Sequence, residues 1–143
     1  MTFLLDVNVL IAMLDEDHVD YARAVEWFGN EGRSSWATCP ITQNGAVRIL
    51  GHPSYPGGHG DCSLVARTLS SFCDLPGHIF WPDDLDLLNS PHILIDSLPK
   101  SRHLTDTYLL ALAASQNGML ATFDRKLSAL AVTGGAEALH VIC

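Results

Sequence analysis

Three aspartates each stand beside a short apolar segment that has the character of a strand end. Asp6 follows Phe3-Leu4-Leu5, Asp106 follows His103-Leu104-Thr105, and Asp124 follows Leu120-Ala121-Thr122-Phe123. In open α/β sheets, ligands bind outside the carboxyl ends of the strands. Carboxylates gathered at one such edge repel each other unless a cation joins them, and hard oxygen ligands select Mg²⁺ or Mn²⁺. The three acids therefore predict a metal site of a kind that handles phosphate.

Each acid also has an ordinary structural explanation when it is taken alone. Asp106 opens an alanine-rich helical segment, where a carboxylate is favoured by the positive end of the helix dipole. Asp6 and Asp124 are both suited to turns at strand ends. The shared context of all three acids, in a chain that alternates strands and helices, favours the common site over three separate explanations.

The elements that must position these acids alternate along the chain. Short apolar runs predict strands, and spacing of three to four residues between apolar positions predicts helices. The stretch from Gly51 to Gly60 is the strongest breaker and predicts a loop. Strands are expected at 2–5, 34–39, 78–81, 119–122 and 139–143, and helices at 8–14, from 18 to about 29, from 40 to 50, around 64–72, at 104–116 and at 126–132. This order predicts a three-layer α/β/α fold with a central parallel sheet of four or five strands, and a single domain over 1–143.

Composition and charge narrow the classes of function. The chain has 143 residues, 48% of them hydrophobic, and no apolar run of the length that a membrane span requires. Its N-terminus lacks the positive region of a secretory signal, so we expect a cytoplasmic protein. The net charge of −8 is unusual for a nucleic-acid binder. Either the protein does not touch nucleic acid, or part of the negative charge belongs to a metal site and a basic protein partner becomes plausible.

Three segments that together span nearly the whole chain resemble the PIN-domain ribonucleases, in particular the VapC-like toxins of bacterial toxin–antitoxin pairs. The segments are Leu5-Asp6-Val7-Asn8-Val9-Leu10-Ile11-Ala12, His103-Leu104-Thr105-Asp106-Thr107-Tyr108-Leu109-Leu110-Ala111-Leu112-Ala113 and Leu120-Ala121-Thr122-Phe123-Asp124-Arg125. The resemblance implies an endoribonuclease that uses one or two Mg²⁺ or Mn²⁺ ions. It assigns Asp6, Asp106 and Asp124 as catalytic and metal-binding residues, and Asn8 and Thr122 as supporting residues.

One departure from the family concerns the helix after the second strand, where the family usually has a glutamate. The segment from Ile41 to Arg48 has no acid; Gln43 is the better match to the missing position and Asn44 the alternative. An amide oxygen can contact a metal or its water but brings no charge. The alternative function is therefore a catalytically weakened or inactive PIN-fold binding module.

Other polar residues near these segments are weaker candidates. Arg48, Arg125 and His103 are candidate contacts for RNA or phosphate. Asp83 and Asp84 follow the third predicted strand; they could join the acidic edge, but a solvated turn is favoured.

Two further classes of protein fit the residues of this chain poorly. A response-regulator receiver needs an acidic pair after the first strand, and an aspartyl phosphatase needs a second acid at position 8, where Asn8 stands.

As a VapC-like toxin, the chain is expected to bind a cognate antitoxin whose basic segment places an arginine against the acidic edge. A homodimer is expected through the early helices, around Val19, Ala22 and Trp27.

Overall fold

A five-stranded, all-parallel sheet forms the middle layer of the molecule. The computed structural model describes residues 1–143. The strands lie in the spatial order β3-β2-β1-β4-β5, which places β1 and β4 side by side at the centre. The strands are β1 (Phe3–Leu5), β2 (Trp36–Thr38), β3 (His78–Phe80), β4 (Met119–Thr122) and β5 (Leu139–Val141). All five predicted strands and the parallel α/β/α architecture are confirmed.

Alternate residues of the central strands face two separate hydrophobic clusters, one on each side of the sheet. Leu4 and Leu120 pack on one side, whereas their neighbours Leu5 and Ala121 pack on the other. Successive side chains of a strand point to opposite faces, so a sheet covered on both faces needs apolar residues at every position. This explains why the strands appear in the sequence as continuous apolar runs.

The helices form the two outer layers. One cluster includes Leu109–Ala113 of the fifth helix, and the other includes buried residues of the first four. At the end of the fifth helix, Asn117 has a φ of 56°, the left-handed conformation that terminates helices. The helices are α1 (Val7–Leu14), α2 (Tyr21–Trp27), α3 (Pro40–Leu50), α4 (Cys62–Cys73), α5 (Leu104–Ser115) and α6 (Gly135–Ala138). None of them is long and apolar enough to cross a membrane.

The helix expected at 126–132 is wrong. This segment forms turns, and the short helix α6 begins only at Gly135. The backbone there pairs with a distant segment instead: the N–H of Leu94 donates to the carbonyl of Ala131, and Ile93 forms a bridge with Val132. These long-range hydrogen bonds replace those of a local helix.

The proposed dimer surface also needs a correction at one residue. Trp27 is 6% exposed and packs against Phe3 and His140, with its indole N–H donating to His140 Nε2 at 3.0 Å. It is a core residue and has little surface to offer a partner. Val19 and Ala22 are exposed, so the dimer prediction is restricted to these two residues.

Candidate metal centre

Asp6 stands where β1 ends and α1 begins, between two groups that fix its carboxylate. Its Oδ1 accepts the N–H of Val7 at 2.8 Å, as an N-cap does, and its Oδ2 accepts the hydroxyl of Thr122 at 2.8 Å. The backbone N–H of Asp6 donates to the carbonyl of Ala121 on the adjacent strand. Both carboxylate oxygens are therefore oriented by residues at the ends of two neighbouring strands.

Thr122 and Asn8 connect the ends of β1 and β4. The Thr122 hydroxyl donates to Asp6 and accepts from Asn8 Nδ2 and from the backbone N–H of Asp124, both at 3.1 Å. Asn8 Oδ1 in turn accepts the N–H of Phe123 at 3.3 Å. Thr122 is fully buried, so this network holds the two acid-bearing loops in a fixed relation.

Asp106 and Asp124 lie near enough to Asp6 to affect its ionisation. Burial, together with the negative charges of Asp106 and Asp124, raises the pKa of Asp6 to about 6, despite the hydrogen bonds from Thr122 and Val7 that lower it. Burial and the charge of Asp124 also raise the pKa of Asp106, which lies in the first turn of α5. The structure thus brings all three predicted acids to one edge of the sheet.

A cavity of about 570 Å³ opens at this edge and is lined by polar residues from four parts of the fold. Asp6 and Asp106 both line it, whereas Asp124 lies beside it with its Oδ1 accepting the backbone N–H of Lys126. The cavity contains a third carboxylate, that of Asp83 from the loop after β3. Asp83 is partly buried. The expectation that it belongs to a freely solvated turn is therefore wrong for this residue. In the sequence, the only indication that Asp83 contributes to the site is its position after a predicted strand.

The two candidates for the missing glutamate position face different parts of the molecule. Asn44 lines the cavity with Asp6 and Asp106. Gln43 lies outside it: its amide donates to Thr38 Oγ1 at 3.0 Å, and its side chain borders a separate hollow between α3 and α4. One residue along a helix turns the side chain by about 100°. The structure therefore places the alternative, Asn44, where an acid on α3 would face the cavity.

The basic candidates occupy different places around the acids. Arg48 lines the main cavity. His103 borders a smaller hollow of about 60 Å³ on the other side of Asp106, together with Lys126, which sequence reasoning missed. Arg125 is exposed and next to Asp124 in the chain. These groups surround the acids without neutralising them, because neither of the two salt bridges in the molecule involves the four acids Asp6, Asp83, Asp106 and Asp124.

The donor chemistry fits a hard divalent cation. The site offers carboxylate oxygens, one amide side chain and no thiolate or imidazole pair within its cavity. As the side chains stand, no three His, Cys, Asp or Glu residues converge on one point. Mg²⁺ commonly keeps several waters and takes only one or two carboxylates, so this spacing suits a hydrated ion better than a fully protein-coordinated one.

The chain is similar to one known protein family and to several named proteins. The PIN domain family matches residues 3–132. Ribonuclease VapC44 of Mycobacterium tuberculosis is 40% identical over 141 residues, which cover 96% of each chain. Ribonuclease VapC39 of the same organism is 41% identical over 139 residues, covering 97% of this chain and all of the relative. Ribonuclease VapC38 is 36% identical over 128 residues.

Proposed function

This chain belongs to the PIN-domain family as a VapC-like ribonuclease, and we propose that it is the toxin of a toxin–antitoxin pair: an endoribonuclease that depends on Mg²⁺ or Mn²⁺ and acts in the cytoplasm. We propose that residues 1–143 form one PIN domain. The observation that carries the proposal is the gathering of Asp6, Asp106 and Asp124 at one sheet edge, with raised pKa values for the first two and no salt-bridge partner for any of them.

Asp6, Asp106 and Asp124 are the proposed metal ligands. When bound to these residues, a divalent ion would supply Lewis-acid chemistry toward a water and a phosphodiester. Thr122 and Asn8 act through the carboxylates: their hydrogen bonds hold Asp6 and the start of the Asp124 loop in place. Such supporting bonds fix the orientation of metal ligands.

The RNA backbone requires positive charge close to the acids. Arg48, which lines the cavity, is the proposed phosphate contact on one side of Asp106, and His103 is the proposed contact on the other. Arg125, which is exposed next to Asp124 in the chain, is a further proposed contact. Because the whole chain carries a net charge of −8, attraction of RNA must come from such local groups and from the metal.

The proposed partners follow from the same distribution of charge. A cognate antitoxin is expected to place an arginine against the acidic cavity, because a guanidinium pairs bidentately with carboxylates and competes with a metal for the same oxygens. We also propose a homodimer through the surface that includes Val19 and Ala22.

The test is a cleavage assay on total RNA with Mg²⁺, with Mn²⁺ and with chelator, in which the cut ends are mapped. Cleavage that appears with either ion and disappears with chelator supports the proposal. Co-expression with the antitoxin, followed by size-exclusion chromatography, is expected to give a complex without RNase activity. Full activity in a saturated complex contradicts the inhibition mechanism, and a monomer at high concentration contradicts the dimer.

A second candidate function is a PIN-fold binding module with weak or absent catalysis. It is favoured by Asn44, which occupies the α3 position facing the cavity without bringing a charge. The same assay separates the two functions, because a binding module retains RNA in a gel-shift experiment with Mg²⁺ but produces no new ends.

A further inference from the structure

Asp83 is tied to helix α3 by one carboxylate oxygen and leaves the other without a partner. Its Oδ2 accepts the backbone N–H of Ile41 at 3.1 Å, a bond that joins the loop after β3 to the first turn of α3. Its Oδ1 is buried and has no hydrogen-bond donor. A buried polar atom without a partner is uncommon in folded proteins, because it loses its hydrogen bonds to water.

No cationic side chain is paired with Asp83, although Arg48 lines the same cavity. The thiol of Cys39 is a polar neighbour of the Asp83 carboxylate, but its geometry does not make a hydrogen bond to Oδ1. Burial, with a contribution from Asp83, raises the pKa of Cys39 to about 11, so this thiol is neutral at pH 7. No lysine, arginine or histidine forms a salt bridge with Asp83.

A purely structural role explains half of this arrangement. A carboxylate at the start of α3 satisfies a free N–H and is favoured by the helix dipole. One oxygen is sufficient for that role. It does not account for a second, unpartnered oxygen in a residue that lines the cavity with Asp6 and Asp106.

We infer that Asp83 supplies, from the loop after β3, the carboxylate charge for the divalent cation that α3 does not supply at Asn44. The inference rests on the proposed function and extends it to a residue on a different element. The hydrogen bond from Ile41 fixes the carboxylate at the cavity wall, much as Thr122 and Val7 fix Asp6. The charge that an acid on α3 would place in the cavity is thereby delivered from the loop that adjoins the first turn of α3.

The experiment measures Mn²⁺ binding to the chelator-treated chain by calorimetry and by electron paramagnetic resonance, independently of RNA cleavage. Asp83→Asn retains an oxygen for the Ile41 N–H and removes the charge, and we expect it to weaken Mn²⁺ binding by about 10–100-fold. Asp84→Asn, the matched control at the exposed neighbouring acid, leaves the affinity unchanged. Asn44→Glu added to Asp83→Asn returns a carboxylate to the cavity and restores binding.

The outcomes separate the inference from the proposed function. A wild-type chain that binds no Mn²⁺ contradicts both. Asp106→Asn losing Mn²⁺ while Asp83→Asn retains full affinity and only melts at a lower temperature overturns the inference alone, and leaves Asp83 as an anchor for α3. If Asp83→Asn does not fold, Asp83→Ser takes its place, since its hydroxyl can still accept from Ile41.

Discussion

Asp6 and Asp15 are carboxylates of nearly equal solvent exposure at opposite ends of helix α1, yet their pKa values move in opposite directions. Asp6 is 5% exposed and Asp15 is 4% exposed. The pKa of Asp6 is raised to about 6, whereas that of Asp15 is lowered. The helix dipole favours the reverse, because Asp6 is at the N-terminal end of α1 and Asp15 at the C-terminal end. Asp6 lies deeper in the protein than Asp15, so the difference comes from depth of burial together with the other neighbours of each acid.

The surroundings of Asp15 satisfy its charge. Burial alone would raise its pKa, but the hydroxyl of Tyr55 donates to Oδ2 at 2.6 Å and the N–H of Asp17 donates to Oδ1. His59 and His18 lower the pKa further, and His59 Nε2 lies 3.3 Å from Oδ1. These contacts attach the loop between α3 and α4 to the end of α1.

Asp6 has hydrogen bonds as well, but it faces Asp106 and Asp124 rather than a cation. The same chain can evidently pair a buried carboxylate fully when the carboxylate serves the fold. Several carboxylates that lie together without a salt-bridge partner are typical of a functional site, where a ligand supplies the missing charge. The comparison thus separates a structural acid from a proposed metal-binding one.

Loss of activity on removing the charge of Asp6 or Asp106 is the largest expected effect. Asp6→Asn and Asp106→Asn each remove a proposed metal ligand, and we expect RNA cleavage to fall by about 10²–10³-fold or more. The measurement is the rate of cleavage of a defined RNA with saturating Mn²⁺. Asp96→Asn, at an exposed acid that does not line the cavity, is the control. Wild-type rates in the Asp6 and Asp106 variants would place catalysis elsewhere.

The second prediction concerns the pH dependence of stability in the metal-free protein. Because folding raises the pKa of Asp6 from 3.8 to about 6, the native state binds more protons than the unfolded state in this window. The contribution of Asp6 therefore makes the protein less stable as pH rises through the window, by at most about 3 kcal/mol. Asp15, with its lowered pKa, contributes stability that is present above its unfolded pKa and is lost on acidification.

Denaturant unfolding of three proteins from about pH 2 to pH 7 measures these two contributions, because the window of Asp15 lies below its unfolded pKa and that of Asp6 lies above it. Relative to wild type, Asp6→Asn is expected to flatten the loss of stability with rising pH, and Asp15→Asn to flatten the loss on acidification. Identical pH profiles for the two variants would remove the distinction between the two acids.

A third prediction tests the structural role of Asp15 directly. Asp15→Ala leaves the Tyr55 hydroxyl and the Asp17 N–H without their acceptor, and we expect a loss of about 1.5–3 kcal/mol in the free energy of unfolding. Cleavage per folded molecule is expected to remain unchanged. Tyr55→Phe removes one of the same hydrogen bonds and serves as the comparison, with a loss of about 1 kcal/mol. A large drop in specific activity for Asp15→Ala would connect the loop to the site.

The smallest expected effect distinguishes the two amides of α3. Asn44→Glu adds a carboxylate to the cavity and is expected to tighten Mn²⁺ binding by about tenfold, comparable to the effect of a supporting partner on a metal site. Gln43→Glu is the matched control, since its side chain faces the hollow between α3 and α4. Tighter binding with Gln43→Glu, and none with Asn44→Glu, would restore the alignment that the sequence favoured.

The sequence alone was sufficient to predict the sheet, the strand ends and the gathering of the three acids. These features depend on local patterns: apolar runs form buried parallel strands, and the acids that follow β1 and β4 must then share an edge. The end of α5 also depends on a local pattern, because Asn117-Gly118 favours the left-handed turn that stops a helix.

Only the tertiary structure decided which neighbouring side chains reach the cavity. Gln43 and Asn44 differ by one helical step, and the orientation of α3 is set by its packing rather than by its own sequence. Asp83 meets Ile41 across 42 positions of the chain, and Ala131 pairs with Leu94 instead of continuing a local helix. Such contacts join segments that are distant in the chain, so local patterns carry little information about them until the chain has folded.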